Sequence, residues 1–108
     1  MKLNLVPSDP LALARQLELS SFPVVLGRGE AASVQLDDRW LSRTHCELRC
    51  EDGSLVVRDL GSKHGTFVNG QRVSETKLEP GDVLGIGLCK FVAKLDSVAV
   101  ESADSMLV

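Results

Sequence analysis

The sequence predicts one all-β domain, a β-sandwich or barrel of around ten short and mostly antiparallel strands. Three observations support this fold class. Short apolar or alternating segments recur along the chain between clusters of turn residues. Two of the intervening dipeptides, Asp52-Gly53 and Asn69-Gly70, suit the positive backbone angles of a two-residue hairpin turn. The chain has 108 residues, which is enough for one domain to bury a core without disulfides or a structural metal.

Each strand is predicted from apolar residues that alternate with polar ones or from a short apolar run, because successive strand side chains point to opposite faces. In chain order the predicted strands are 2–6, 16–20, 24–26, 33–36, 45–50, 55–60, 66–68, 71–73, 82–86 and 90–95. A short helix is considered at 9–15, where Asp-Pro precedes LALAR, with a strand connection as the alternative. We assign the domain to 1–96. We expect 97–108 to be a continuation of the last strand or a C-terminal tail, in a module from a longer protein.

Composition narrows the class of partner and the compartment. The chain carries 12 Lys and Arg against 15 Asp and Glu, a net charge of −3, which argues against a nucleic-acid or anionic-membrane binder. Cys46, Cys50 and Cys89 form no C-x-x-C motif and are too few for a disulfide scaffold. No apolar stretch is long enough for a membrane span or a signal peptide. We therefore expect a cytoplasmic domain.

Two motifs resemble cofactor or catalytic sites, but their contexts argue against both. Residues 27–32 fit the G-x-G-x-x-A pattern of a dinucleotide-binding turn, yet an extended segment follows where that fold needs a helix. Ser42 and His45 place a hydroxyl and an imidazole three positions apart. On a strand, these side chains would point to opposite faces, and no nucleophile elbow accompanies them. We expect neither a cofactor nor an enzymatic activity.

A metal site is considered for His45, Cys46, Cys50 and His64. On one strand, Cys46 and Cys50 would lie about 13 Å apart, which is too far to share one tetrahedral zinc ion. The sequence therefore predicts no metal site.

Three loops contain groups that suit an oxyanion. Arg28 lies in a turn between two glycines, Ser42 and Arg43 begin a strand, and Lys63 and His64 lie in a third loop. Cationic side chains, a hydroxyl and glycine-opened backbone together can donate several hydrogen bonds to one anion. An anion-binding site built from these loops is the better interpretation, although any single arginine is more often a solvated surface charge.

The order of three sequence blocks resembles the forkhead-associated (FHA) domain family. The blocks are Gly27-Arg28, Ser42-Arg43-x-His45 and the segment from Asp59-Leu60-Gly61-Ser62 to Gly65-Thr66-Phe67-Val68-Asn69-Gly70, and the match covers roughly 17–95. The resemblance implies a β-sandwich of about eleven strands with phosphothreonine-binding loops at one end, in agreement with the class inferred from the strand pattern.

By position, the resemblance implies a phosphopeptide-binding role for five residues. Arg28 matches an arginine that contacts the phosphate or the peptide backbone, and the Ser42 hydroxyl matches a donor to a phosphate oxygen. Arg43 and Lys63 match positions where further contacts to the phosphate occur. His64 stands where the family usually has an asparagine that binds the peptide main chain.

A second group is expected to shape the loops. The resemblance implies that His45 braces the binding loops from inside and that Asn69 ties the next turn to the loop of Lys63. The full loop-structural set is Gly27, His45, Gly65, Thr66 and Asn69. Trp40 lies two residues before Ser42 and either lines a pocket for the peptide residue after the phosphothreonine or anchors its own loop.

Together, these features predict a module that recognises phosphothreonine peptides and mediates phosphorylation-dependent protein–protein interaction in signalling. The expected partner is a phosphothreonine-containing protein, either a Ser/Thr kinase or a kinase substrate, with no role for nucleic acid or membrane. The alternative is an FHA-fold scaffold that has lost phosphopeptide binding, since His64 replaces the usual asparagine.

Overall fold

The computed structural model describes residues 2–8 and 15–96, which form an all-β sandwich of two sheets. The predicted fold class is confirmed. The helix considered at 9–15 and the tail at 97–108 lie outside the described residues, except for Arg15. Arg15 has no regular secondary structure and lies just before β2. In the described part of the chain, no helix has the length and apolar character needed to cross a membrane.

The described residues form eleven strands. They are β1 (Lys2–Pro7), β2 (Leu17–Leu19), β3 (Val24–Gly27), β4 (Val34–Gln35), β5 (Cys46–Glu51), β6 (Ser54–Asp59), β7 (Thr66–Val68), β8 (Gln71–Val73), β9 (Glu75–Lys77), β10 (Val83–Ile86) and β11 (Cys89–Asp96). One sheet has the order β2-β1-β11-β10-β7-β8, and the other has the order β4-β3-β5-β6-β9. The short β3–β4 pair is parallel, and the other strand pairs are antiparallel.

The core lies between the two sheets and consists mainly of Leu and Val, since aromatic residues make up only 4% of the chain. Alternation fixes which side chains enter it: Leu3 and Leu5 of β1 are fully buried, while Asn4 between them is not. Leu41 and His45 are also buried, although both lie in the loop before β5. That loop is therefore anchored to the core, which limits its movement.

Local chemistry explains where the strand predictions succeed and where one strand was missed. Both predicted hairpin turns form, with φ of 51° and 78° at Asp52-Gly53 and 52° and 82° at Asn69-Gly70. Strand β9 was not predicted because Glu75 and Lys77 are exposed and only Thr76 is half-buried, so it shows no apolar alternation. It forms as an edge strand through its backbone pairing with β6.

Candidate functional site

The loop after β3 is pressed against the loop between β4 and β5. The amides of Arg28 and Gly29 donate to the carbonyls of Ser42 and Arg43, each at 3.0 Å. A Cβ on Gly27 would lie 2.0 Å from the Arg43 carbonyl oxygen, so only glycine fits there. The glycines of the 27–32 motif therefore serve close approach of two backbones, and β4 follows the motif without a helix.

Arg28 is exposed, and its guanidinium is steered by the neighbouring loop. Its Nε donates to the Leu41 carbonyl at 3.0 Å, and the Gln35 side-chain amide donates to its backbone carbonyl at 3.1 Å. Among the described residues, no group accepts a hydrogen bond from its two terminal nitrogens. Those nitrogens are available for a bidentate contact with an oxyanion.

Ser42 connects the second and third loops. Its Oγ accepts a hydrogen bond from the Lys63 backbone amide at 3.0 Å. A hydroxyl that accepts through oxygen keeps its O–H to donate elsewhere. The side chains of Arg43 and Lys63 are exposed and form no ion pair within the described residues. The structure thus brings the loops of Arg28, Ser42, Arg43 and Lys63 together.

His45 lies beneath these loops with its ring fully buried. Its Nδ1 accepts from the Ser42 backbone amide at 3.1 Å, and its Nε2 lies 2.8 Å from the Gly65 carbonyl oxygen. An amide can only donate and a carbonyl can only accept, so the ring is neutral with its proton on Nε2. The ring therefore joins the second loop to the third through their backbones.

This arrangement corrects the expected placement of Ser42 and Arg43 at the start of a strand. They lie in the loop, and β5 begins at Cys46. The loop brings Ser42 close to His45, but the hydrogen bond uses the Ser42 amide and not its hydroxyl. Because backbone groups occupy both ring nitrogens, His45 has no nitrogen available to accept a proton from the hydroxyl.

The third loop is built around Asp59, a residue to which the sequence pattern assigned no role. Its Oδ2 accepts from the amides of Gly61 and Ser62 at 3.0 Å each, and its Oδ1 accepts from the hydroxyls of Thr66, at 2.7 Å, and Ser62. Burial alone would raise the pKa of this carboxyl, but these hydrogen bonds outweigh it and lower the pKa below its ordinary value. The spacing Asp-x-x-Ser, typical of a local side-chain-to-backbone turn, was the available signal.

Gly65 and Asn69 occupy special backbone positions near this loop. Gly65 has φ of 93° and donates its amide to the Ser62 hydroxyl at 3.0 Å. Asn69 accepts from the Val83 amide at 2.9 Å and donates to the Asp82 carboxylate at 3.0 Å. It therefore ties the β7–β8 turn to the start of β10, and not to the loop of Lys63 as the resemblance implied.

His64 is exposed and lies against the exposed ring of Trp40, with ring centroids 4.7 Å apart and an interplanar angle of 62°. This edge-to-face contact joins the β4–β5 loop to the β6–β7 loop on the outside, as His45 does on the inside.

The groups considered for a metal site are not brought together. His45 and Cys46 are buried, whereas Cys50 and His64 are exposed. Burial and the nearby Asp59 carboxylate raise the pKa of the Cys46 thiol to about 12, so the thiol is protonated at neutral pH. Within 2–8 and 15–96, no three His, Cys, Asp or Glu side chains are placed to hold a metal ion.

Comparison with known proteins gives one family. The family model for the FHA domain matches residues 24–87. Over 81 residues, the chain is 33% identical to the FHA domain-containing protein FhaA of Mycobacterium tuberculosis, covering 75% of this chain and 15% of that protein. Over 87 residues, it is 39% identical to the oxoglutarate dehydrogenase inhibitor of Corynebacterium diphtheriae, covering 81% of this chain and 60% of that protein. The chain thus spans only part of the length of these relatives.

Solved structures show the same similarity. An FHA domain from a structural and functional analysis of phosphothreonine-dependent FHA domain interactions superimposes with a TM-score of 0.79 at 30% identity, covering 91% of this chain and all of that one. The FHA domain of FhaA, complexed with the intracellular domain of Rv3910, superimposes with a TM-score of 0.74 at 32% identity, covering 85% of this chain and 99% of that one.

Proposed function

This chain belongs to the FHA domain family, and from that membership we propose that its loop end binds phosphothreonine in an extended peptide. Such binding makes a protein–protein interaction depend on phosphorylation, because the unphosphorylated partner presents no dianion to the loops. The phosphothreonine-dependent interactions of a structurally similar FHA domain support the choice of ligand.

The hydrogen bond from the Lys63 amide to the Ser42 hydroxyl carries the proposal. The Ser42 hydroxyl keeps an O–H to donate, and it lies between two loops that each carry an exposed cation, Arg43 and Lys63. A phosphate seated there receives the Ser42 O–H and charge-assisted hydrogen bonds from both sides. The 2.8 Å contact between His45 and Gly65 supports the same two loops from below.

Arg28 supplies the third side of this proposed phosphate site. Its Nε is held by the Leu41 carbonyl, so the guanidinium loses little freedom when a phosphate binds. We further propose that His64 takes the part of the family's usual asparagine by donating a ring N–H to a peptide carbonyl, which a neutral imidazole can do.

The proposed partner is a Ser/Thr kinase or a substrate of one, encountered in the cytoplasm, and the module acts by binding without catalysis. The occupied ring nitrogens of His45 support the absence of a Ser–His nucleophile in this site. Two relatives carry regulatory names, the oxoglutarate dehydrogenase inhibitor and the glycogen accumulation regulator GarA of Mycolicibacterium smegmatis, which supports a role in signalling.

The test is calorimetry of the purified domain with an array-selected phosphothreonine peptide and its phosphoserine and unphosphorylated forms. Arg28→Ala is expected to weaken binding by about 2–4 kcal/mol, since a charge-assisted contact to a desolvated phosphate is lost. Arg58→Ala, an equal charge change at an exposed position of β6, is the matched control and is expected to bind like the wild type.

The other peptide forms sharpen the test. The phosphoserine form is expected to bind more weakly, because it lacks a methyl group worth about 0.8 kcal/mol when buried. Unchanged affinity in Arg28→Ala would exclude this loop from the site. A wild-type domain that binds no phosphothreonine peptide would instead support an FHA-fold scaffold without phosphopeptide binding.

A further inference from the structure

The outer face of the six-stranded sheet has an apolar centre. In an antiparallel sheet with one buried face, the outward side chains are usually polar. Here Val6 of β1, Val92 of β11 and Val83 of β10 are neighbours in register, and all three are half-buried. Each lies next to a fully buried core residue on its strand, so it points outward. All eleven strands of the described residues belong to the two sheets, so no strand or helix of this part of the chain covers the row of valines.

A groove lies beside this row. Gly85, the next outward residue of β10, is paired with Phe67 of β7 on one side and with Lys90 of β11 on the other. Because Gly85 has no side chain, a groove of about 530 Å³ remains, and its lining includes Phe67, Val83 and Lys90. A Cβ on Gly85 would lie 3.5 Å from the Phe67 Cβ, which is an ordinary contact. Backbone crowding therefore does not require glycine here, and a larger residue would fill the groove.

Cations without ion-pair partners border the apolar centre. Lys90 and Lys94 are exposed at outward positions of β11 on either side of Val92, and Arg72 is the exposed cross-strand partner of Phe67. The ion pairs of the described residues include none of these three cations. Lysine and arginine side chains can cover apolar surface with their stems while the charged ends remain available to a carboxylate.

The charges decide which kind of partner fits this face. A second copy of the chain, docked face to face about a two-fold axis, would bring the same cations together, and their repulsion opposes it. An extended anionic surface such as nucleic acid or a membrane is opposed by the net charge of −3. Glu18 on the same face lies 3.8 Å from Lys2, so it is paired and leaves the border of the groove positive. A short segment that combines apolar side chains with carboxylates matches both the valine row and the cations.

We propose that this face binds an unphosphorylated segment of a partner protein in which apolar side chains, seated in the groove, are flanked by Asp or Glu. The inference goes beyond the proposed function, because neither Gly85 nor the valine row belongs to the proposed phosphate site. A partner that carries both a phosphothreonine and such a segment would contact the domain at two places, which raises its overall affinity.

The experiment begins with peptides selected on the purified wild-type chain from a phage-displayed library of short, random, unphosphorylated sequences. The selected peptides are expected to be enriched in apolar and acidic residues. Gly85→Val fills the groove and is expected to weaken their binding at least about tenfold. Its stability in urea and its affinity for a phosphothreonine peptide are expected to match those of the wild type, since glycine is not required at this strand position.

A second variant tests the charge. Lys90→Glu reverses one cation beside the groove and is expected to weaken binding of the selected peptides about tenfold, with a smaller effect at high salt. Lys77→Glu, the same charge change at an exposed position of β9 in the other sheet, is the matched control and is expected to bind like the wild type.

The outcomes separate this inference from the proposed function. The docking face is wrong if selection enriches no peptide, or if the selected peptides bind both variants as tightly as the wild type. It is also wrong if a phosphothreonine peptide displaces them completely, which would put them in the phosphate site. If sedimentation shows a wild-type dimer that Gly85→Val dissociates, the face joins two copies of the chain instead. A wild type that binds the selected peptides but no phosphothreonine peptide supports the docking face and overturns the proposed function alone.

Discussion

At the scale of single residues, the two histidines of this chain have different structural roles. His45 is fully buried and joins two backbones, whereas His64 is exposed and packs on another ring. A buried neutral imidazole with both nitrogens satisfied costs little to bury, and its removal leaves an amide and a carbonyl without partners.

His45→Ala is therefore expected to lower the free energy of unfolding by about 2–4 kcal/mol, since the Ser42 amide and the Gly65 carbonyl each lose a buried hydrogen bond. Urea denaturation at pH 7 measures the change. His64→Ala is the matched control and is expected to unfold like the wild type, because its ring is exposed. If His45→Ala kept full stability and lost only peptide binding, His45 would be a ligand contact and not a brace.

The sequence identified site residues that belong to short local motifs. It did not reveal contacts between residues that are far apart in the sequence. Arg28, Ser42 and Lys63 could be nominated from loop composition. The Asp38 carboxylate could not, because it bonds Leu88, fifty positions away, and nothing in either local sequence encodes that pairing. The same holds for Trp40 and His64, whose contact depends on two loops meeting.

At the scale of elements, the β6–β7 loop is a folded unit whose centre is a carboxylate. Four hydrogen-bond donors converge on the Asp59 carboxylate, and the Ser62 hydroxyl in turn accepts a hydrogen bond from the Gly65 amide. Thr66 and Ser62 are buried, so their hydroxyls depend on this acceptor. The position of Lys63 thus depends on a charge that titrates in acid.

The free energy of unfolding is expected to fall in acid as the Asp59 carboxyl becomes protonated. Its pKa is lower in the folded than in the unfolded chain, so the contribution is complete above the ordinary value near 3.8 and is lost as pH falls through the lower folded value. Urea unfolding between pH 7 and pH 2 measures this. Asp59→Asn is expected to be less stable at pH 7 and to lose less stability below about pH 4. Asp37→Asn, an exposed carboxyl, is the control, and identical pH profiles for the Asp59 variant and wild type would contradict the assignment.

A strand could be predicted from the sequence where one of its faces is buried and the other is exposed. Strands with one buried face, such as β1 and β5, reveal themselves by alternation. The three-residue β9 is an edge strand with two charged residues, so its sequence resembles a loop and only tertiary pairing makes it a strand. The division of the strands into two sheets was also not readable from the sequence, since it is set by non-local pairs such as β1 with β11.

At the scale of the whole molecule, the two sheets form the rigid core and the loops at one end carry the proposed binding site. Leu and Val from both sheets fill the core, and the loops that carry the proposed site are anchored to it by Leu41 and His45. Net charge and local charge then oppose each other: the chain is acidic overall at −3, yet Arg28, Arg39, Arg43 and Lys63 are exposed in the loops at one end. The direction in which added salt changes the affinity shows whether the local or the net charge governs binding.

If the local cluster governs, added salt weakens phosphopeptide binding, because it screens attraction between the loop cations and the phosphate. If the net charge governed, salt would strengthen binding by screening repulsion between two anions. We expect the dissociation constant to rise several-fold between about 50 and 300 mM NaCl, mostly through a slower association rate in stopped flow. Lys63→Ala is expected to flatten this dependence, whereas Lys94→Ala, which changes the net charge equally at an exposed position of β11, is expected to leave it unchanged. Equal effects of the two substitutions would mean that the phosphate meets the field of the whole protein and not that of the loops.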